Sequence, residues 1–394
     1  MVSASGDLRE LPLAPGSRRS GRPGLTAGRR GLGGMVSTRS RLAGVALGIV
    51  VALAAAGCSS ASGSWASGGS SSCGQAAKSP VLTLAAYSNP YDAYAKLTSS
   101  FAAGWKKAHG QSVMFQTSFG GSTTQAQNIV AGFPADVYAS SLDPDVLLVQ
   151  KAGLITHDWL KDPGESVVAT SVVGFMVRPG NPRGIHNWND LTKPGLKILT
   201  PDPAQSGGAK WNIVAAYGAA MRGQVPGYAA ADPAAARRLL TGIFKNVSVM
   251  DKSANDSFKD FESGNGDVAI TYENQALAGI ASGSKDQFVI PPSTILIQTP
   301  AVVVDKNARA HCVENLAGAF VAYLRTPGAQ KIFQTAGYQR PISLAAARKG
   351  NGAEYPAIHD LFTAGQIGGW TQIVTTTVFG PSGAFTQAFR AARG

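Results

Sequence analysis

Four short segments carry residue types that hold anions through the backbone: Tyr87-Ser88-Asn89-Pro90, Ser118-Phe119-Gly120-Gly121-Ser122-Thr123, Gln205-Ser206-Gly207-Gly208-Ala209 and Asp251-Lys252-Ser253-Ala254-Asn255. Each falls where a strand pattern ends and a helix pattern begins. The first turn of a helix has N–H groups without intrahelical partners, and its dipole favours negative charge. Glycine lets the backbone come close to a ligand. Several such junctions opening on one cleft would form a cage of neutral donors for an oxyanion. Small residues before a helix are also ordinary capping chemistry. The reading therefore rests on the number of junctions, not on any one of them.

Patterns for catalysis are missing from the sequence. No Gly-x-Ser-x-Gly elbow surrounds Ser206, so it has no local support as a nucleophile. His109, His157, His186, His311 and His359 are scattered, with no His-Glu-x-x-His. No Walker phosphate loop occurs, so any ATP hydrolysis belongs to a partner. We expect a binding protein with no catalytic residue, no metal and no cofactor.

The junctions need strands and helices to position them, and the hydrophobic pattern supplies both. Residues 81–86 read as a buried strand, followed by a helix with apolar positions at Tyr91, Tyr94, Leu97, Phe101 and Trp105. Strand patterns recur at 113–116, 135–139, 172–177, 197–200, 247–250, 268–272 and 302–304. Helices are expected from Ser122 and at 145–151, 209–221, 234–244, 255–262, 274–281, 315–324, 330–336, 370–378 and 385–392. This alternation predicts α/β layers with largely parallel sheets.

The chain has 394 residues, 44% hydrophobic and only 15% charged, enough for two domains with sizeable cores. The net charge of +12 suggests a nucleic-acid partner until its distribution is considered. Eight of the 35 Lys and Arg precede Cys58 and face only two of the 23 Asp and Glu, leaving 27 basic and 21 acidic residues beyond it. No basic run interleaved with aromatics appears there, so no nucleic-acid partner is expected. Arg39 and Arg41 precede an apolar stretch at 42–56, too short for a membrane span, and then Ala55-Ala56-Gly57-Cys58. This reads as a signal peptide over residues 1–57 whose true start is Met35, with 1–34 a spurious or disordered extension. Cys58 after small residues resembles the bacterial lipobox, although Ala55 stands where Leu is usual. Lipidation there would hold the protein at the outer face of the cytoplasmic membrane. Residues 58–79 form a Ser/Gly/Ala linker, flexible by composition. Export permits a disulfide between Cys73 and Cys312, and two unpaired thiols are equally allowed.

Beyond these features, the sequence resembles the bacterial sulfate-binding proteins of sulfate/thiosulfate ABC importers from about Val81 to Arg393. The likeness is carried by Gly120-Gly121-Ser122 with Ala135-Asp136-Val137, by Val177-Arg178-Pro179-Gly180-Asn181-Pro182, and by His186-Asn187-Trp188-Asn189-Asp190-Leu191. It continues through Thr200-Pro201-Asp202-Pro203, Ser206-Gly207-Gly208-Ala209-Lys210-Trp211-Asn212, Gly266-Asp267-Val268, Glu273-Asn274, Arg340-Pro341 and Gly368-Gly369-Trp370. The resemblance implies a two-lobed fold of the periplasmic-binding-protein type II, with a hinge and an interlobe ligand cleft. Crossings near Ser171 and Thr299 would give a first lobe of residues 80–171 plus 299–394 and a second lobe of 172–298.

It also implies a site. Ser88, Ser122, Gly207, Gly208 and Ala254 would donate backbone N–H groups, and Ser206 its hydroxyl. Tyr272 stands where the family commonly has Trp; a phenol can donate or accept, an indole only donates. Sulfate, fully ionised at neutral pH, needs only donors, whereas phosphate carries a proton that a donor-only cage leaves unpaired. Asp256 replaces a usual Gly and is expected to cap its helix, pointing away; facing the ligand, it would repel sulfate or accept a proton from phosphate. The implied partners are sulfate, the permease subunits with a separate ATPase, and the membrane through a lipid anchor; a monomer is expected. Alternatives within the class are thiosulfate, molybdate, tungstate or phosphate as ligand. Alternatives outside it are an oxyanion sensor or a secreted hydrolase.

Overall fold

A computed structural model describes Cys73, residues 79–352 and residues 355–394. The signal peptide, Cys58 and most of the linker lie outside these residues.

The described strands are β1 (Val81–Tyr87), β2 (Met114–Gly120), β3 (Val137–Ala139), β4 (Val167–Val177), β5 (Ile198–Pro201), β6 (Val247–Asp251), β7 (Val268–Tyr272), β8 (Gln287–Val289), β9 (Ser293–Val303) and β10 (Asp360–Phe362). They run in the order β2-β1-β3-β9-β4-β7-β5-β6, with β8 beside β4 and β10 beside β9. β1 is parallel to β2 and β3, and β5 is parallel to β6 and β7. These two parallel sets are the sheets of two lobes. β4 and β9, each of 11 residues, join them as an antiparallel pair. The first part of β4 pairs with β9 and the rest with β7, while β9 passes from β10 through β4 to β3.

The helices bearing on the site are α1 (Tyr91–His109), α2 (Ser122–Val130), α3 (Asp143–Lys151), α4 (Gly207–Met221), α5 (Pro233–Asn246), α6 (Ala254–Glu262) and α7 (Glu273–Ala281). β1 is buried almost throughout, as expected of a parallel strand covered on both faces. α1 buries Ala93, Tyr94, Leu97 and Phe101 on one face and stops at Gly110, whose left-handed φ of 69° lets its N–H return to the Lys106 carbonyl. The first core gathers Leu82, Tyr94, Phe101, Phe320 and Phe333. The second gathers Trp188, Trp211, Leu239 and Phe244 around α4.

The C-terminal helix, Ala384–Arg393, departs from the expected lobe division. Phe385 stacks edge-on against Phe244 of α5 at 5.0 Å, and Phe385 and Ala388 belong to the second core. A strongly amphipathic helix takes the apolar face on offer, and α5 offers one. The expected helix at 370–378 also breaks. Gly369–Gln372 is α-helical, but Ile373–Thr377 winds into a π turn. β-branched residues fit an α-helix poorly, and the Thr375 and Thr376 hydroxyls back-bond to the Thr371 and Gln372 carbonyls. Cys73 is joined to Cys312 by a disulfide just before Glu314–Tyr323, a helix of the first lobe. Among the described residues no helix is long and apolar enough to cross a membrane.

Candidate anion site

The C-terminal ends of β1, β2, β3, β5, β6 and β7 meet around one small cavity. Its volume of about 10 Å³ is far below the roughly 300–1,000 Å³ of sites for drug-sized ligands. Tyr87, Ser88 and Asn89 line it from the β1–α1 junction, Gly120, Gly121 and Ser122 from β2–α2, and Ser141 from the turn after β3. The second lobe contributes Ser206 and Gly208, Ala254 and Tyr272. Of the seven residues singled out in the sequence, Ser88, Ser122, Ser206, Gly208, Ala254 and Tyr272 thus come together. Gly207 does not line the cavity. A Cβ there would lie 2.1 Å from Leu142 Cδ2 and 2.7 Å from Ser141 Oγ, so its backbone packs directly on the first lobe.

Three of the helices around the cavity begin without side-chain caps. Gly121, Ser206 and Tyr272 occupy the N-cap positions of α2, α4 and α7, and none makes a capping hydrogen bond. Serine at an N-cap ordinarily accepts from the helix, as Ser253 does from the Asp256 N–H at 3.1 Å. The Ser206 hydroxyl makes no such capping bond, and the residue is 2% exposed. A polar group so placed is costly unless something fills the cavity and pairs with it.

Ser122 uses its hydroxyl differently. It donates to Asp145 Oδ2 at 2.7 Å and accepts from the Ser141 N–H at 3.0 Å. Only its backbone N–H is left to serve the cavity. Asp145, on α3 and 2% exposed, also accepts from Thr123 Oγ1 at 3.0 Å and from Lys210 Nζ of α4 at 3.4 Å. Among the described residues no Lys, Arg or His lines the cavity. Its positive character comes from peptide dipoles, with the nearby ammonium turned to a carboxylate.

Tyr272 OH and Ser141 Oγ lie 3.1 Å apart across the lobes. Burial holds the Tyr272 phenol well above its usual range, so it stays protonated. The indole of Trp211 donates to the Ser141 carbonyl at 2.7 Å, and the Thr124 N–H donates to the Gln205 carbonyl at 3.1 Å. Gly121 makes the second approach possible, since a Cβ there would fall 2.4 Å from the Gln205 carbonyl oxygen. Asp256 does not line the cavity itself. Its Oδ2 accepts from Ser253 Oγ at 2.7 Å, and it lines an outer cleft with Lys252 and Lys259.

Sequence reasoning overlooked Ser141. Its signal is weak: a Ser140-Ser141 pair after a strand, with no glycine, before a helix that starts two residues earlier than expected.

Residues 82–339 match the family model described as bacterial extracellular solute-binding protein. A sulfate-binding protein of Synechococcus elongatus is 36% identical over 354 residues, covering 89% of this chain and 96% of its own length. A sulfate-binding protein of Escherichia coli is 38% identical over 301 residues, covering 75% of this chain and 89% of its own. Among solved structures, the sulfate-binding protein of Mycobacterium tuberculosis superposes with a TM-score of 0.68 at 32% identity, covering 76% of this chain and 99% of its own. The chain belongs to the bacterial extracellular solute-binding protein family.

Proposed function

We propose that this protein captures sulfate outside the cytoplasm and delivers it to an ABC importer. The observation that carries the reading is the Ser206 hydroxyl, free of any capping bond, beside uncapped helix starts in a cavity that no charged side chain lines among the described residues. A small dianion that accepts from every side fits those donors. The sulfate-binding relatives support the same reading. In it Ser206 donates its hydroxyl, and Ser88, Ser122, Gly208 and Ala254 donate backbone N–H groups, while Gly207, which does not line the cavity, packs on the first lobe. Tyr272 completes the wall with its phenol.

The protein acts by binding alone. Among the described residues no histidine lines the cavity to take a proton from Ser206, and we read the serine as a donor and not a nucleophile. The two lobes close on the anion as a hinge. ATP is hydrolysed by a separate subunit beside the permease, and the binding protein works as a monomer at the outer membrane face, held by a lipid on Cys58.

Titration calorimetry of the whole chain tests this with sulfate, thiosulfate and molybdate in turn. One-to-one binding that is tightest for sulfate is expected. Tighter binding of thiosulfate or molybdate moves the ligand within the class, and no heat with any of the three overturns the reading.

A further inference from the structure

We propose that the outer face of the second lobe, where α5 and the C-terminal helix lie side by side, rests on a surface of anionic phospholipid. The proposal goes beyond sulfate capture and does not depend on it.

Packing puts the cations together. α5 buries Ala236, Leu239, Leu240 and Phe244 and leaves Arg237, Arg238 and Lys245 exposed. The C-terminal helix buries Ala384, Phe385 and Ala388 and leaves Arg390 and Arg393 exposed. Phe244 meets Phe385 at 5.0 Å and Phe389 at 5.9 Å, and the Arg237 guanidinium donates to the Gln387 side-chain carbonyl. The two apolar faces turn inward together, so the five cations share the outer side of one helical layer.

Carboxylates do not offset them. Asp232 is the only acidic residue from 203 to 250, and 361–394 hold none. Asp232 caps α5, accepting from the Ala234 and Ala235 N–H groups, and lies 4.0 Å from Arg238. Among the described residues no other carboxylate comes that close to any of the five. Asp190, on the turn that packs beside α5, is taken by Lys193 at 3.0 Å. Elsewhere Arg178, Arg183, Arg222, Arg309 and Arg340 are each held by a carboxylate.

Like charges gathered on one surface repel until a counter-charge approaches. A protein partner ordinarily brings a desolvated apolar or aromatic centre to its interface as well. Neither helix offers one, since among the described residues every exposed large hydrophobic side chain lies on another element. A phospholipid surface asks only for cations, each adding about fivefold to the partition. Four of the five are arginines, whose planar fork matches phosphate.

Sedimentation with large vesicles tests the face. The protein is the whole chain with Cys58→Ser in every arm, so the proposed lipid plays no part. Vesicles of phosphatidylcholine alone set the baseline that any apolar contact shares, and vesicles that also contain phosphatidylglycerol supply the anionic surface. The otherwise unaltered chain is expected to favour the anionic vesicles and to lose that preference near about 1 M salt, where the screening length is about 3 Å. Adding Arg238→Gln, Lys245→Gln and Arg390→Gln should lower its partition onto them at least about tenfold. The same loss of charge on the first lobe, through Lys106→Gln, Lys107→Gln and Lys151→Gln, should change it less than about twofold. Unchanged urea midpoints report that both variants have folded. No preference for phosphatidylglycerol in the otherwise unaltered chain overturns the proposal and leaves an acidic protein as the candidate partner of this face. A second-lobe variant that loses no more than the first-lobe variant overturns it too, because net charge alone would then account for the attraction.

Discussion

Arg340 and Glu273 lie 67 positions apart and meet as a two-pronged ion pair, Nε to Oε2 at 2.5 Å and Nη2 to Oε1 at 2.7 Å, both side chains sealed from solvent. Glu273 opens α7, directly after Tyr272. Arg340 also donates to the carbonyls of Ala347 and Pro356 and takes its backbone N–H to the Thr170 carbonyl on β4. The pair thus ties the crossing strand, the 347–356 segment and the loop bearing Tyr272 into one unit.

Removing one partner strands the other as a buried charge. Glu273→Gln and Arg340→Met should each cost about 3–5 kcal/mol in urea unfolding. The double change Glu273→Leu with Arg340→Met should cost less than the sum of the single changes. Additive losses would show that the two groups do not act as a pair.

Gly208 tests the size of the cavity. A Cβ there would sit 3.3 Å from Ala254 Cβ and from Ser206 Oγ, and 3.6 Å from Tyr272 OH. Gly208→Ala should therefore fold normally and bind sulfate at least about tenfold more weakly, because its methyl takes up ligand space. Ser206→Ala should also weaken sulfate by about ten- to a hundredfold, the cost of one lost donor to a charged acceptor. Wild-type affinity in either variant would move the ligand elsewhere.

Lys210 and Asp145 join the lobes, with side chains 16% and 3% exposed. Lys210 also donates to Thr123 Oγ1 at 2.6 Å. A contact made only when the lobes are together shifts the equilibrium toward that state. Lys210→Met keeps the aliphatic stem and drops the charge. It should lower sulfate affinity about tenfold and enlarge the particle in small-angle scattering of the sulfate-bound protein. Unchanged scattering and affinity would make the contact incidental to closure.

Asp360 gives a pH dependence of definite sign. Hydrogen bonds from the Arg222 guanidinium, then one from Ser293, hold its carboxyl below the usual carboxylate range, against an opposing push from burial. A carboxyl depressed in the folded state contributes stability above its unfolded-state range, and that contribution is lost as pH falls through the folded value. Urea midpoints should fall on acidification in wild type and fall less steeply in Asp360→Asn. Parallel curves would mean the folded and unfolded carboxyls titrate alike.

The alternation of strands and helices was legible because parallel strands covered on both faces are apolar runs, as in Val81–Tyr87. The junctions were legible because Gly121 sits where backbones crowd and Gly208 where side chains do. The long crossing strands were read too short. β4 and β9 carry Thr170, Thr294 and Thr299, polar residues that break an apolar run yet are buried with hydroxyls bonded to backbone carbonyls. Ser141 was illegible for a related reason: its part in the site comes from Tyr272, 131 residues away, and no local pattern records that distance.

The two-sided wall of the cavity also fixes an order in time. A chamber bounded by Ser122 and Ser141 on one side and by Ser206 and Tyr272 on the other cannot be loaded once shut. Capture must begin with the lobes parted and end with their closing, and escape waits for them to part again. The lifetime of the loaded protein is then set by how often it opens, so a permease that pries the lobes apart governs unloading without having to compete for the anion.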